Sequence, residues 1–123
     1  MTQAIYEAAK TGNYIANEET DYRSRDVLII EAGEDLKLGT VLGRVTDTQK
    51  MRRLDLEATD GSQIATAILY QKADAGSQDV KALAHVRRCT VIAENLSWPS
   101  ALTPEQQATA IADLARNGIV VRA

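Results

Sequence analysis

The chain has 123 residues, 45% hydrophobic and 25% charged, which suits a single domain with a modest core. A formal net charge of -3 and a sequence pI near 5.1 provide no basic stripe for nucleic-acid phosphates, so we expect no nucleic-acid partner. No apolar run reaches the roughly 18 residues of a membrane span, and the first residues lack a secretion signal, so we expect no membrane partner.

Charge is unevenly distributed along the chain. The first 35 residues hold three basic and eight acidic side chains, whereas the rest of the chain holds eleven basic and nine acidic ones. Such asymmetry suggests an acidic leading segment with its own partner surface, although a solvated acidic face is the commoner explanation.

Residues 1–26 show no sustained periodicity of either a strand or a helix, and we interpret them as a flexible N-terminal arm. Residues 4–10 could form one or two helical turns, but so short a helix is marginal in water. A disordered terminus without a role is the alternative interpretation. Aromatic and large apolar side chains favour a partner surface instead, because they are over-represented where partners dock; the candidates are Tyr6, Tyr14, Ile15 and Tyr22.

The first strand signals precede and surround a glycine-rich stretch. Residues 27–30 form an aliphatic run that predicts a short strand. Gly39 and Gly43 then bracket a run of Thr, Val and Leu that predicts the first core strand. The dipeptide Asp-Gly at 60–61 supplies a hairpin turn, and the apolar run at 64–69 predicts the returning strand.

Three segments of the middle of the chain have weaker signals. Residues 47–58 alternate weakly around Leu54 and Leu56, which predicts an exposed hairpin arm or an edge strand. Residues 72–79 have the composition of a loop. Residues 80–93 are interpreted as one strand, with a helix as an open alternative because Ala and Arg are good helix formers.

The clearest local signal lies near the end of the chain. Thr103 precedes a proline and is followed three residues later by Gln106, the pattern of a helix N-terminus with a capping box. Apolar residues then recur at helical spacing until Asn-Gly at 117–118, which predicts the end of the helix. Residues 119–122 form an apolar run that predicts a final strand.

Few residues could carry chemistry. His85 and Cys89 would lie about 13 Å apart on a strand, too far to react together. An enzyme that uses them would require both side chains in one cleft. One His and one Cys are too few for a typical transition-metal site. We therefore expect a buried Cys89, a surface or partly packed His85, and no catalytic, cofactor or metal site. Trp98 fits a core plug better than a subunit interface.

Several motifs occur together in an order and at separations that resemble the head decoration protein D family of lambda-type bacteriophages. They are EDLKLGTVLGRV at 34–45, DGS at 60–62 leading to AIL at 67–69, LSWP at 96–99, and a helix closing on GIVV at 118–121. The resemblance covers roughly residues 26–123, and its strength lies in the order of the motifs because each alone is common.

The resemblance implies a mainly β fold of the β-clip or β-tulip type with one C-terminal helix, a small α+β domain. It divides the chain into the arm at 1–26 and a decoration domain at 27–123. In this family, a homotrimer sits on the outer capsid surface at local three-fold positions and clamps major capsid proteins against the pressure of packaged DNA.

The family also implies an arm that is disordered in the free trimer and orders on the shell. The protein would have no catalytic activity and no cofactor, and it would be made in the host cytoplasm before joining the virion. The arm candidates Tyr6, Tyr14, Ile15 and Tyr22 would contact the capsid, and a trimer or core anchor would comprise Leu96, Trp98 and Pro99.

A small β-clip ligand-binding or accessory module is the alternative, because residues 39–45 also resemble the core turn of other β-clip domains. A monomer with a defined polar pocket would favour it.

Overall fold

The computed structural model describes residues 14–18, 21–100 and 102–123, with only the backbone at 17, 21 and 22. Within these residues lie ten strands, a single-turn helix, a 3-10 turn at 93–95 and one long helix. The strands are β1 (Ile15–Glu18), β2 (Arg25–Ile30), β3 (Glu34–Leu36), β4 (Val41–Arg44), β5 (Met51–Arg53), β6 (Ala65–Leu69), β7 (Ala73–Ala75), β8 (Val80–His85), β9 (Cys89–Ile92) and β10 (Ile119–Arg122). The helices are α1 (Asp21–Ser24) and α2 (Pro104–Arg116).

Five strands close into a barrel in the order β2-β5-β4-β6-β8. Its longest ladder joins β2 to β8 antiparallel, from the pair Arg25–His85 to the pair Ile30–Val80. Side chains inside the barrel and beside it form one apolar cluster; its buried members are Ile30, Leu36, Leu42, Met51, Ala67, Leu69, Ala73, Ala75, Ala82 and Ala84.

A second layer consists of the sheet β1-β9-β10 together with α2, which contacts both β10 and β6. Between this layer and the barrel lies a second apolar cluster; its buried members are Tyr14, Val41, Leu54, Ala65, Ile68, Cys89, Val91, Leu96, Ala110, Leu114 and Ile119. Successive side chains of a strand point to opposite faces, so Val41 joins the second cluster while Leu42 joins the first. The barrel wall therefore separates two cores and is buried on both faces there.

The mainly β fold with a C-terminal helix is confirmed. Both halves of the predicted capping box form, because the Gln106 amide donates to Thr103 Oγ1 at 3.1 Å and the Thr103 amide donates to Gln106 Oε1 at 3.0 Å. The strand predicted at 119–122 is β10. Gly61 adopts the expected positive φ, +108°, in the segment that leads into β6, but the predicted hairpin turn is wrong because β5 and β6 do not pair.

The single strand predicted over residues 80–93 is wrong, and so is its helical alternative. The chain forms β8 in the barrel and then β9 in the outer sheet. Arg88, between the two strands, has a left-handed φ of 55°, which breaks the extended conformation. The Val86 amide still donates to the carbonyl of Ser24 at 2.9 Å, one position beyond the pair Arg25–His85, so the ladder ends after Val86.

Two weaker predictions also need correction. Residues 51–53 form neither an exposed arm nor an edge strand, because β5 lies between β2 and β4 in the barrel and Met51 is fully buried. The loop predicted at 72–79 contains β7, which pairs with β3. In β7, Ala73 and Ala75 are buried on either side of the exposed Asp74, an alternation that polar neighbours conceal in the sequence.

Within the predicted arm at residues 1–26, the residues that the structure describes contact the rest of the chain. β1 pairs antiparallel with β9, and α1 continues directly into β2. Tyr14 is fully buried in the second cluster and Ile15 packs against it. Burial of an aromatic side chain gives this short segment the apolar area that its sequence otherwise lacks.

Candidate functional site

A polar cluster lies buried where β1 meets the barrel. β1 and the residue before it contribute Glu18 and Tyr14, β2 contributes Arg25, the end of β8 contributes His85, and Tyr70 follows β6. We call these five residues the root cluster. They converge because Arg25 and His85 face each other across the β2–β8 ladder, at the end of the barrel that β1 covers.

Both ring nitrogens of His85 form short hydrogen bonds within the root cluster. Nδ1 lies 2.6 Å from the Tyr14 hydroxyl, and Nε2 lies 2.6 Å from Glu18 Oε2. The carboxylate can only accept, so the hydrogen-bonding pattern assigns the ring proton to Nε2, and the Tyr14 hydroxyl then donates to Nδ1. A neutral imidazole satisfies both bonds in this arrangement.

Glu18 connects the imidazole to a guanidinium. Arg25 Nη2 donates to Glu18 Oε1 at 2.6 Å, and its Nε donates to Oε2 at 3.3 Å. The Arg25 guanidinium also lies 3.9 Å from the centroid of the Tyr70 ring, a cation–π contact. Burial alone would raise the pKa of Glu18, but the hydrogen bonds from Arg25 and His85 bring that pKa below its ordinary value. Glu18 is therefore held as an anion.

The same surroundings keep the Cys89 thiol protonated. Burial and the negative charge of Glu18 raise its pKa to about 12. Burial likewise raises the pKa of the Tyr14 hydroxyl far above its ordinary value. A thiol with this pKa is a poor nucleophile at neutral pH, and His85 directs both ring nitrogens to other partners. The prediction of a buried Cys89 is confirmed, whereas the expected surface or partly packed His85 is wrong, because that side chain is fully buried.

The structure separates the residues predicted to form the arm. Tyr14 has no exposed surface and Ile15 is half-buried against the core, so both side chains belong to the domain. Tyr6 and the side chain of Tyr22 lie outside the described residues. Sequence reasoning identified Tyr14 as important but did not find Glu18 or Arg25, whose acidic and basic side chains look like ordinary solvated charges.

The predicted trimer or core anchor at 96–99 is fixed to the barrel. Leu96 is buried in the second cluster, and Trp98 is half-buried against it, with its indole N–H donating to the carbonyl of Ala93 at 3.0 Å. A parallel bridge joins Ser97 to Thr40, just before β4. Leu96 therefore lies in the core of this chain, and Trp98 packs against that core.

Pro99 lies at the side of an open groove of about 440 Å³ between β5 and the start of α2. Arg53 and Leu102 also line it, together with acidic residues that include Glu57. The Arg53 side chain pairs with Glu34 at 3.3 Å on the same wall. The groove is thus lined by side chains of both charges.

Large apolar side chains also reach the surface. Val27 and Ile29 alternate along one face of β2 and are 61% and 42% exposed. Ile64, before β6, and Val120, on the edge strand β10, are each 48% exposed. Contiguous exposed apolar patches are typical of surfaces that bind other proteins, whereas single exposed apolar side chains are common on any protein.

In the part of the chain that the structure describes, no group of three or more His, Cys, Asp and Glu side chains is arranged to hold a metal ion. No helix in that part is long and apolar enough to cross a membrane.

A closed barrel with an apolar cluster on each side of its wall, an outer sheet and one long helix define the protein as a small, mainly β domain. The sequence gives the particular family. The family model for bacteriophage lambda head decoration protein D matches residues 4–119 of the 123-residue chain, so the chain belongs to that family. No curated protein matches the sequence. The chain is therefore a structural protein of the phage head, and its family is not an enzyme class.

Proposed function

We propose that this protein assembles as a homotrimer, binds the outer surface of a phage capsid at local three-fold positions, and stabilises the expanded head against the pressure of packaged DNA. The single observation that carries the proposal is the family match, which extends over residues 4–119 and includes most of the leading segment. Major capsid protein is the partner in this proposal.

The leading segment is the proposed capsid contact. Residues 1–13 precede the buried Tyr14, and Tyr6 is the aromatic side chain among them. A segment of this kind can bind by adding a strand to the exposed sheet edge of a partner. Three copies in one trimer would multiply a weak contact, because binding of one raises the local concentration of the others at neighbouring sites. Tyr22, at the start of α1, is the second proposed contact residue.

A native mass of three times 13.4 kDa for the free protein is the first expected result. The second is co-sedimentation with expanded capsids, which should then withstand higher temperatures before they release DNA. A variant that lacks residues 1–13 should remain trimeric and lose most of its capsid binding. A suitable control is Asp113→Asn, which changes charge on α2, the helix that packs on β10 and β6.

A monomer that does not bind capsids would contradict the proposal. Full capsid binding by the variant without residues 1–13 would show that the leading segment is not the capsid contact. The exposed side chains of β2 and β10 would then be the next candidates for that contact.

A further inference from the structure

β1 has little main-chain attachment to the rest of the domain. It has four residues, it lies at the edge of the sheet β1-β9-β10, and its register with β9 breaks between Ile15 and Asn17. Ala16 faces outward and is exposed. So short a strand with a single neighbour is marginally stable by its backbone hydrogen bonds alone. Side chains must therefore provide much of the attachment.

Those side chains act at both ends of β1 and converge on one ring. Tyr14, immediately before the strand, bonds to Nδ1 of His85, and Glu18, its last residue, bonds to Nε2. Arg25 then ties Glu18 to β2 through two hydrogen bonds. His85 belongs to β8, so these contacts bridge β1 to the barrel rather than to its sheet neighbour β9.

We propose that Tyr14, Glu18 and His85 form a latch that holds β1 on the barrel, that protonation of Glu18 opens it, and that the closed latch fixes where the leading segment departs from the domain. The last part of this inference rests on the proposed function, since it gives residues 1–13 a fixed starting position for capsid binding. The latch and its response to acid do not depend on the capsid.

Glu18 is the group in the root cluster that explains an acid response. The titratable and charged groups that face His85 and Glu18 among the described residues include Tyr14, Arg25, Tyr70 and Cys89. Burial raises the pKa of Tyr14 and of Cys89, so both remain neutral from acid to neutral pH.

The pKa of Glu18 is lower in the folded protein than its ordinary value of 4.5. Its charge therefore stabilises the closed latch fully above pH 4.5, and this contribution is lost as the pH falls through the lower pKa of the folded state. Once Glu18 is protonated, Arg25 and the imidazole lose the anion in a buried site, which is strongly unfavourable.

Hydrogen–deuterium exchange of the free protein tests the latch. Exchange rates, corrected for the intrinsic effect of pH, are measured from pH 7 to pH 3.5 in peptides that cover β1 and β4. β4 serves as the internal reference because it lies in the closed barrel. In the natural protein, acid should raise exchange in β1 more than in β4, towards the roughly tenfold limit set by complete loss of one hydrogen bond to a charged group.

Two variants make the assignment specific. Glu18→Gln should show the faster exchange of β1 already at pH 7 and little further response to acid. Asp26→Asn is the matched control, since it removes a carboxylate that pairs with Arg87 on the neighbouring surface, where both side chains are more than 40% exposed. This control should behave like the natural protein.

The latch would be overturned if acid raised the exchange of β1 and β4 equally in the natural protein. It would also be overturned if acid raised the exchange of β1 in Glu18→Gln as much as it does in the natural protein. Capsid binding at pH 7 then tests positioning, where Glu18→Gln should bind about tenfold more weakly than Asp26→Asn. Equal binding by the two variants would overturn the positioning role. If the natural protein does not bind capsids, the proposed function and the positioning role fail together, whereas the exchange result still decides the latch.

Discussion

Two truncations distinguish the domain boundary seen in the structure from the boundary that the sequence predicts. The shorter truncation removes residues 1–13 and leaves β1 intact. The longer one removes residues 1–18, and with them Tyr14 from the second core cluster and Glu18 from the root cluster. If the flexible arm extended to residue 26, the two variants would have the same stability.

The structure predicts how far the two truncations should differ in free energy of unfolding. Tyr14 is fully buried, and loss of a buried aromatic side chain costs about 3 to 5 kcal/mol. Loss of Glu18 removes a carboxylate partner from Arg25 and His85, which costs about 1 to 3 kcal/mol more. The longer truncation should therefore lower the free energy of unfolding by about 4 to 8 kcal/mol. At about 3 to 5 °C per kcal/mol for a domain of this size, the melting temperature should fall by roughly 12 °C or more.

Thermal and urea unfolding, followed by circular dichroism, measure this difference. The natural chain and both variants are compared at equal protomer concentration, because the stability of an oligomer depends on concentration. The shorter truncation should melt within about 2 °C of the natural chain, as expected for loss of residues that contribute little to the core. Coincident melting of the two variants would refute the reasoning and would return β1 to the arm.

Four substitutions test other parts of the structure. Gly43→Ala should destabilise the protein by about 1 to 3 kcal/mol in urea unfolding, because a Cβ at Gly43 would overlap the main chain of Ser62; unchanged stability would contradict that packing. Leu114→Ala, in the buried face of α2, should cost about 2 to 5 kcal/mol, and a cost below 1 kcal/mol would mean that the helix does not cover the second core. Tyr14→Phe keeps the ring and removes only the hydroxyl, so it should cost about 1 to 3 kcal/mol, whereas no cost would contradict the bond to His85. In the natural protein at pH 8, iodoacetamide should alkylate Cys89 only after unfolding, because the thiol is buried, and Cys89→Ser should abolish the alkylation. Rapid labelling of the folded natural protein would contradict the buried thiol.

Local signals in the sequence predicted local structure well. The capping box of α2 depends on contacts between Thr103 and Gln106, three residues apart, so the sequence displays all of it. The positive φ of Gly61 could also be predicted from the sequence, because it is a property of one residue. Short strands in polar surroundings were harder to predict. β7 has three residues, and only its pairing with β3 distinguishes it from a loop.

The root cluster could not be predicted because its contacts join distant parts of the chain. Tyr14 and His85 are 71 positions apart, and Glu18 and His85 are 67 apart. The prediction of one strand over residues 80–93 also assigned His85 to an uninterrupted ladder. The left-handed Arg88 ends that ladder and directs the chain into β9, which pairs with β1 and so places Glu18 near the ring.

Closure of the barrel determines where a further strand can add. The five barrel strands have neighbours on both sides, so in the described part of the chain the exposed sheet edges belong to the short β3–β7 ribbon and to the sheet β1-β9-β10. The outer sheet also begins with β1, which follows residues 1–13 and Tyr14 in the sequence. Natural proteins protect such edges against unwanted pairing by keeping them short and charged, and β10 has four residues and ends with the exposed Arg122. If the leading segment adds a strand to a sheet edge of the capsid protein as proposed, the barrel provides the rigid support while the contact stays confined to the segment that leads into this outer sheet.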